Sequence, residues 1–159
     1  MKARQDGAAG RSGLGLDEKA ETPWHFPGQN DRGSVGWFRC RCRAGDMLPV
    51  ICCRIPKEIG WLENLVEFSG RGNRFTGSLP ASIVNLGQLG KLDLQSNRLS
   101  GELPSGVHTW KKLNELNLAD NELSGNIPED IGSLSVLNYL DLSGNRFSGK
   151  IPVGSFNVC

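Results

Sequence analysis

LPSGVHTWKKLNELNLADNELSGN, residues 103–126, is one copy of a 24-residue frame that runs from residue 55 to residue 150 without insertion or deletion. Aligned on it, the copies are residues 55–78, 79–102, 103–126 and 127–150, and a partial copy starts at residue 151. Asparagine recurs at Asn73, Asn97, Asn121 and Asn145, glycine at Gly77, Gly101, Gly125 and Gly149, and leading hydrophobes at Leu65, Leu89, Leu113, Leu137 and at Phe68, Leu92, Leu116, Leu140. In Leu92-Asp93-Leu94 the alternation sends both leucines inward and Asp93 outward, as a strand of period two requires. Three-residue steps such as Ile83, Leu86, Leu89 on the other side suit short 3₁₀ segments, and the Leu/Ile-Pro openings suit extended backbone, since proline fixes φ and lacks a donor.

A period of 24 containing L-x-x-L-x-L-x-x-N is the leucine-rich repeat, read as an α/β solenoid of four coils with parallel strands on the concave face and a 3₁₀ or irregular convex side. Asn73, Asn97, Asn121 and Asn145 then carry structural roles: after each strand an asparagine pointing into the coil bonds backbone groups that the turn leaves unpaired.

LSGELP (residues 99–104), LSGNIP (123–128) and FSGKIP (147–152) resemble the plant-specific class of these repeats. WKKLNELNLADNELSG (110–125) and VLNYLDLSGNRFSGKIP (136–152) are similar to the membrane-proximal repeats of HAESA-like receptor kinases, and the break in copy one, Gly70 in place of Leu94, Leu118 and Leu142, resembles an irregularity of that family. The resemblance implies a piece of an extracellular ectodomain at the plasma membrane. Its partners would be a secreted peptide hormone and a shorter co-receptor kinase, and its late repeats would lie nearest the co-receptor. The arginine pair that receives the hormone's C-terminus in that family would belong to repeats preceding Ile55.

Columns projecting from the strands form the default binding surface of a solenoid. One runs Glu67, Lys91, Glu115, Tyr139; the next Ser69, Asp93, Asn117, Asp141; a third begins Arg71, Gln95 and continues Ala119, Ser143. An extended peptide could cross this mixed, mildly acidic set, its basic groups meeting Asp93, Glu115 and Asp141 and its apolar groups meeting Tyr139. A solvated polar face is the competing reading of the same residues.

Composition excludes several classes. The net charge is +1; residues 1–54 carry nine Lys/Arg against six Asp/Glu and residues 55–159 nine against eleven, so neither half is a nucleic-acid footprint. No run approaches the ~20 apolar residues of a membrane span, no secretory signal follows Met1, and no Asn-x-Ser/Thr sequon occurs. No kinase motif, cofactor site or metal site is present, and the two histidines, His25 and His108, have no nucleophile placed beside them, so the chain reads as non-catalytic.

Residues 1–54 read as a disordered or non-native segment; residues 1–35 are aperiodic, rich in glycine and charge and poor in branched hydrophobes, with one small aromatic cluster, Trp24-His25-Phe26-Pro27. Cys40, Cys42, Cys52 and Cys53 fit neither a paired cap nor zinc spacing. Unpaired cysteines in sequence that did not evolve as a domain are the first reading; thiols acidified by the flanking Arg39, Arg41, Arg43 and Arg54 are the alternative. The abrupt start of the repeat at Ile55 and the tail at residues 153–159 suggest a partial gene or a misassigned exon. Copy four is expected to leave Leu134, Leu137, Leu140 and Leu142 partly open, an end prone to association. A non-catalytic peptide or protein recognition module is the first expectation; a soluble inhibitor or decoy, or a non-functional fragment, is the alternative.

Overall fold

A computed structural model describes residues 54–152 and the backbone of residues 34–37. The Trp24 cluster, the four cysteines at 40–53, Cys159 and the tail at 153–159 lie outside the described residues. Each coil carries a 3₁₀ turn, Lys57–Trp61, Ala81–Asn85, Val107–Thr109 and Glu129–Ser133, entered from Pro56, Pro80 and Pro128 in coils one, two and four and from Gly106, at φ 92°, in coil three. The three-residue apolar step is the turn's own hydrogen-bond ladder, in which Ile59, Leu62 and Leu65 each donate to the carbonyl three residues back, at 2.8–3.1 Å.

The strands of the first sheet follow at β2 (Leu65–Ser69), β4 (Lys91–Asp93), β6 (Glu115–Asn117) and β8 (Tyr139–Asp141), all parallel and paired at equivalent positions 24 residues apart. Ahead of them lies β1 (Ser34–Trp37), parallel to β2. That strand falls within the stretch the sequence reading set apart from the repeats. Ladder hydrogen bonds are made by backbone and need no repeat signature, so periodicity could not reveal it.

A second parallel sheet of four short strands, β3 (Thr76–Gly77), β5 (Arg98–Gly101), β7 (Glu122–Asn126) and β9 (Arg146–Ser148), adds strands that the repeat pattern had not assigned. Its register differs from that of the first. Thr76 faces Arg98 and Ser124 faces Arg146, so partners lie 22 residues apart rather than 24. The recurrent glycine serves this sheet twice. Gly125 sits at φ 76°, where a Cβ is strained, and the Glu102 side chain of the preceding coil lies across it, 2.6 Å from where that Cβ would be.

Between the two sheets and the 3₁₀ turns the apolar columns stack into one continuous core, including Ile83, Leu86, Leu89, Leu92, Leu94 and Leu99, each fully buried. Trp110 replaces leucine in its column and is also buried; its indole N–H donates to the Ile83 carbonyl of the coil before, at 3.1 Å. The break at Gly70 is explained here, because the Phe75 ring of the same coil fills the volume that leucine takes elsewhere. A Cβ on Gly70 would stand 2.5 Å from Phe75 Cε2. In copy four Leu134 and Leu137 are buried, contrary to expectation, because the 3₁₀ turn and the preceding coil cover them, whereas Leu140 and Leu142 are half-buried.

The asparagine ladder is as the sequence requires. Asn97 Nδ2 donates to the Leu94 carbonyl at 2.9 Å and to the Gly70 carbonyl of the coil before at 3.0 Å; Asn121 repeats the pattern to Leu118 and Leu94, and Asn145 to Leu142 and Leu118. Asn73 reaches the Gly70 carbonyl of its own coil at 2.8 Å. Every link therefore closes one turn, and from Asn97 onward each also ties it to its neighbour.

Candidate functional site on the concave face

Strand alternation places the three sequence columns side by side on the first sheet, but they differ sharply in access. Ser69, Asp93 and Asn117 are more than nine-tenths buried, while Asp141 is half-buried. The cause is local turn chemistry. Asp93 Oδ1 accepts from the Gln95 backbone N–H at 3.2 Å, Asn117 Oδ1 from Ala119 at 3.1 Å and Asp141 Oδ1 from Ser143 at 3.0 Å, so each carboxylate or amide closes the bend that ends its strand. The Ser143 hydroxyl also donates to Asp141, at 2.7 Å, and these bonds hold the Asp141 carboxyl below its ordinary pKa. The middle column thus forms the floor of the face.

Standing on that floor is the column Glu67, Lys91, Glu115, Tyr139, in which neighbours are directly paired. Lys91 Nζ meets Glu115 Oε2 at 2.9 Å, and this contact raises the Lys91 pKa. Glu67 is half-buried, and Tyr139 is 46 % exposed. The Tyr139 hydroxyl lies 3.4 Å from Asp141 Oδ2. Partial desolvation against the sheet and the negative charge of Asp141 push the phenol pKa up.

In the third column Arg71 and Ser143 are exposed, Ala119 is buried and Gln95 is half-buried. Gln95 is held from both sides: it accepts from Asn117 Nδ2 at 3.3 Å and donates to Asp120 Oδ2 at 3.2 Å. Asp120 belongs to no column named from the sequence. It occupies a left-handed position, φ 55°, equivalent to Ser96 at 57° and to Gly72 and Gly144, and its carboxylate also lies 3.5 Å from the Ser96 hydroxyl. The mixture of Gly, Ser and Asp at one repeat position is the signal that marks it, since Asp tolerates that conformation better than most side chains.

The face therefore offers a rigid, hydrogen-bonded floor, a charged and aromatic rail, and an acidic margin at Asp120. Its described residues include no nucleophile–base pair. Among the described residues no group of three His, Cys, Asp or Glu side chains is arranged to hold a metal ion, and no helix is long and apolar enough to cross a membrane.

Residues 87–147 match the family described as leucine rich repeat. No curated protein matches the chain. Among solved structures, the Arabidopsis receptor kinase HAESA in complex with the peptide hormone IDA and the co-receptor SERK1 is 58% identical over 62% of this chain and 17% of its own, with a TM-score of 0.61. A second HAESA ectodomain structure, with an N-terminally extended IDA peptide, is 55% identical over 66% of this chain and 18% of its own, with a TM-score of 0.62. The BIR3–SERK2 complex, also from Arabidopsis, matches at 40% identity over 62% of this chain and 53% of its own, with a TM-score of 0.59. The chain spans less than a fifth of the HAESA ectodomain. Its coils are leucine-rich repeats of the kind that build the ectodomains of plant receptor kinases, HAESA among them.

Proposed function

We propose that residues 55–152 form a non-catalytic recognition module of a receptor-kinase ectodomain, facing the outside of the plasma membrane and taking a secreted peptide or a co-receptor ectodomain on the concave face. The repeats occupy a segment of the solenoid, and the kinase activity of such receptors would reside in sequence other than these coils. The observation that carries the reading is the contrast across the sheet: a buried floor fixed by Asp93 and Asn117 beneath the exposed Tyr139 and the Lys91–Glu115 pair. A preorganised floor lowers the ordering cost of binding, and a rigid aromatic on it is the residue type that anchors interfaces. Support also comes from HAESA, whose solved structure contains IDA and SERK1.

The test is surface plasmon resonance of the full chain against the SERK1 ectodomain, with and without IDA. Binding that weakens about tenfold or more in Tyr139→Ala, with the fold intact by circular dichroism, is the expected result. Equal binding by Tyr139→Ala, Glu115→Gln and the unaltered chain would show that the concave rail is a solvated surface.

A further inference from the structure

The second sheet gathers charges that look scattered along the sequence. Its inward positions are Phe75, Leu99, Leu123 and Phe147; alternation turns Arg98, Ser100, Glu122, Ser124, Arg146 and Ser148 to the opposite side. Arg74 leads into β3 from the same repeat position as Arg98 and Arg146, and Arg54 bridges to Thr76 at the sheet's edge. The Arg54 side chain lies over Gly77, with Nε 3.2 Å from where a Cβ would stand. With Lys150, five exposed cations share this flank with two exposed carboxylates, Glu102 and Glu122. Only Arg146 is in an ion pair, with Glu122 at 3.2 Å; among the described residues Arg54, Arg74 and Arg98 make none.

The 22-residue register sets the spacing. Repeat-equivalent residues are offset two positions along the strand for each step across the sheet, so Arg74 and Arg98 lie on a diagonal about 8 Å apart, given strands ~4.8 Å apart and ~3.3 Å per residue. The arginine diagonal continues through Glu122 to Arg146, and beside it runs a diagonal of serine hydroxyls, Ser100, Ser124 and Ser148. No aromatic side chain faces outward from these strands, which removes the stacking platforms that single-stranded nucleic acids use.

We infer that this flank is a docking surface for an anionic polysaccharide of the polyuronate class, lying across the strands. A polymer carrying a carboxylate and hydroxyls on every unit matches a diagonal of arginines, interrupted by Glu122, with a diagonal of serine hydroxyls beside it, and guanidinium binds carboxylate bidentately. The surface is separate from the concave rail, so it stands or falls independently of peptide recognition.

The experiment is biolayer interferometry of the full chain over immobilised polygalacturonate, with dextran, heparin and poly(dT) as comparators, at low salt and at about 150 mM. The expected result is salt-sensitive binding to polygalacturonate and none to dextran. Arg74→Gln/Arg98→Gln/Arg146→Gln should weaken it about tenfold or more, Glu122→Gln should strengthen it, and Tyr139→Ala should leave it unchanged. The three arginines are exposed, so the triple variant should keep the fold, which its melting curve checks, and Glu122→Gln tests the surface without removing any cation. Absent binding, a triple variant and a Glu122→Gln variant that both bind like the unaltered chain, or equal or tighter binding of poly(dT) or heparin would each overturn the inference.

Discussion

Asn97 Oδ1 accepts a hydrogen bond from the Phe75 backbone N–H, 3.0 Å away in the coil before, while its Nδ2 serves carbonyls in both coils. One side chain thus satisfies buried backbone on two turns of the solenoid. Asn97→Ala should lower stability by about 2–4 kcal/mol, since at least two buried groups lose their partner. Asn145→Ala should cost less because its site is only partly buried. Urea denaturation of the two variants, compared at constant m-value, checks the order.

Gly70 and Phe75 share one volume, and their substitutions should be coupled. Gly70→Leu alone is expected to destabilise by about 1–3 kcal/mol through overpacking against the ring, and Phe75→Leu alone through a cavity. Together they restore the pairing seen at Leu94 with Leu99. A double-mutant cycle should give a favourable interaction energy; strict additivity would show that the two side chains do not compete for the same space.

Trp110→Leu substitutes the side chain that the other coils carry at this position, yet it should cost about 2–3 kcal/mol. Volume is lost, and the Ile83 carbonyl is left without its indole donor. Fluorescence offers a second readout: Trp110 is buried and Trp61 is 72 % exposed, so the variant's emission should lose blue-shifted, quencher-resistant intensity relative to the unaltered chain.

Tyr139 is the only tyrosine, so its ultraviolet titration is free of overlap from other phenols. Its native pKa stands above the ordinary 10.0, from desolvation first and from Asp141 second. The phenol form is therefore favoured on folding: this contribution is fully present below pH 10.0 and disappears as pH rises through the native value. Asp141→Asn should move the midpoint down part of the way, leaving the share due to desolvation. Asp141 has the opposite sign. Its depressed pKa contributes stability above the ordinary 3.8 and loses it as pH falls through the native value.

The solenoid, its strands, the 3₁₀ steps and the asparagine ladder were legible because each follows from one residue type recurring at a fixed interval. Four features were not. The floor role of Asp93 and Asn117 depends on bonds to N–H groups two residues on, and outward alternation alone made both look available to a ligand. The second sheet is held by backbone pairing through residues as different as Thr76, Ser100 and Arg146, which share no composition signal. Strand β1 has no repeat around it at all. The compensation of Gly70 by Phe75 was hidden for another reason: the break was visible, but its filler lies five residues away and belongs to a column where phenylalanine recurs at Phe147.

Two spacings coexist in this chain, 24 residues between partners on one sheet and 22 on the other. A straight strand of ligand laid over the concave side would meet the same letter of every repeat, as down a column of type. Laid over the flank it would cross different letters in turn. Duplicating a coil therefore copies a binding determinant coherently on one side and interleaves it with unlike neighbours on the other, so the two surfaces can diverge in what they recognise although they are spelled by the same repeat.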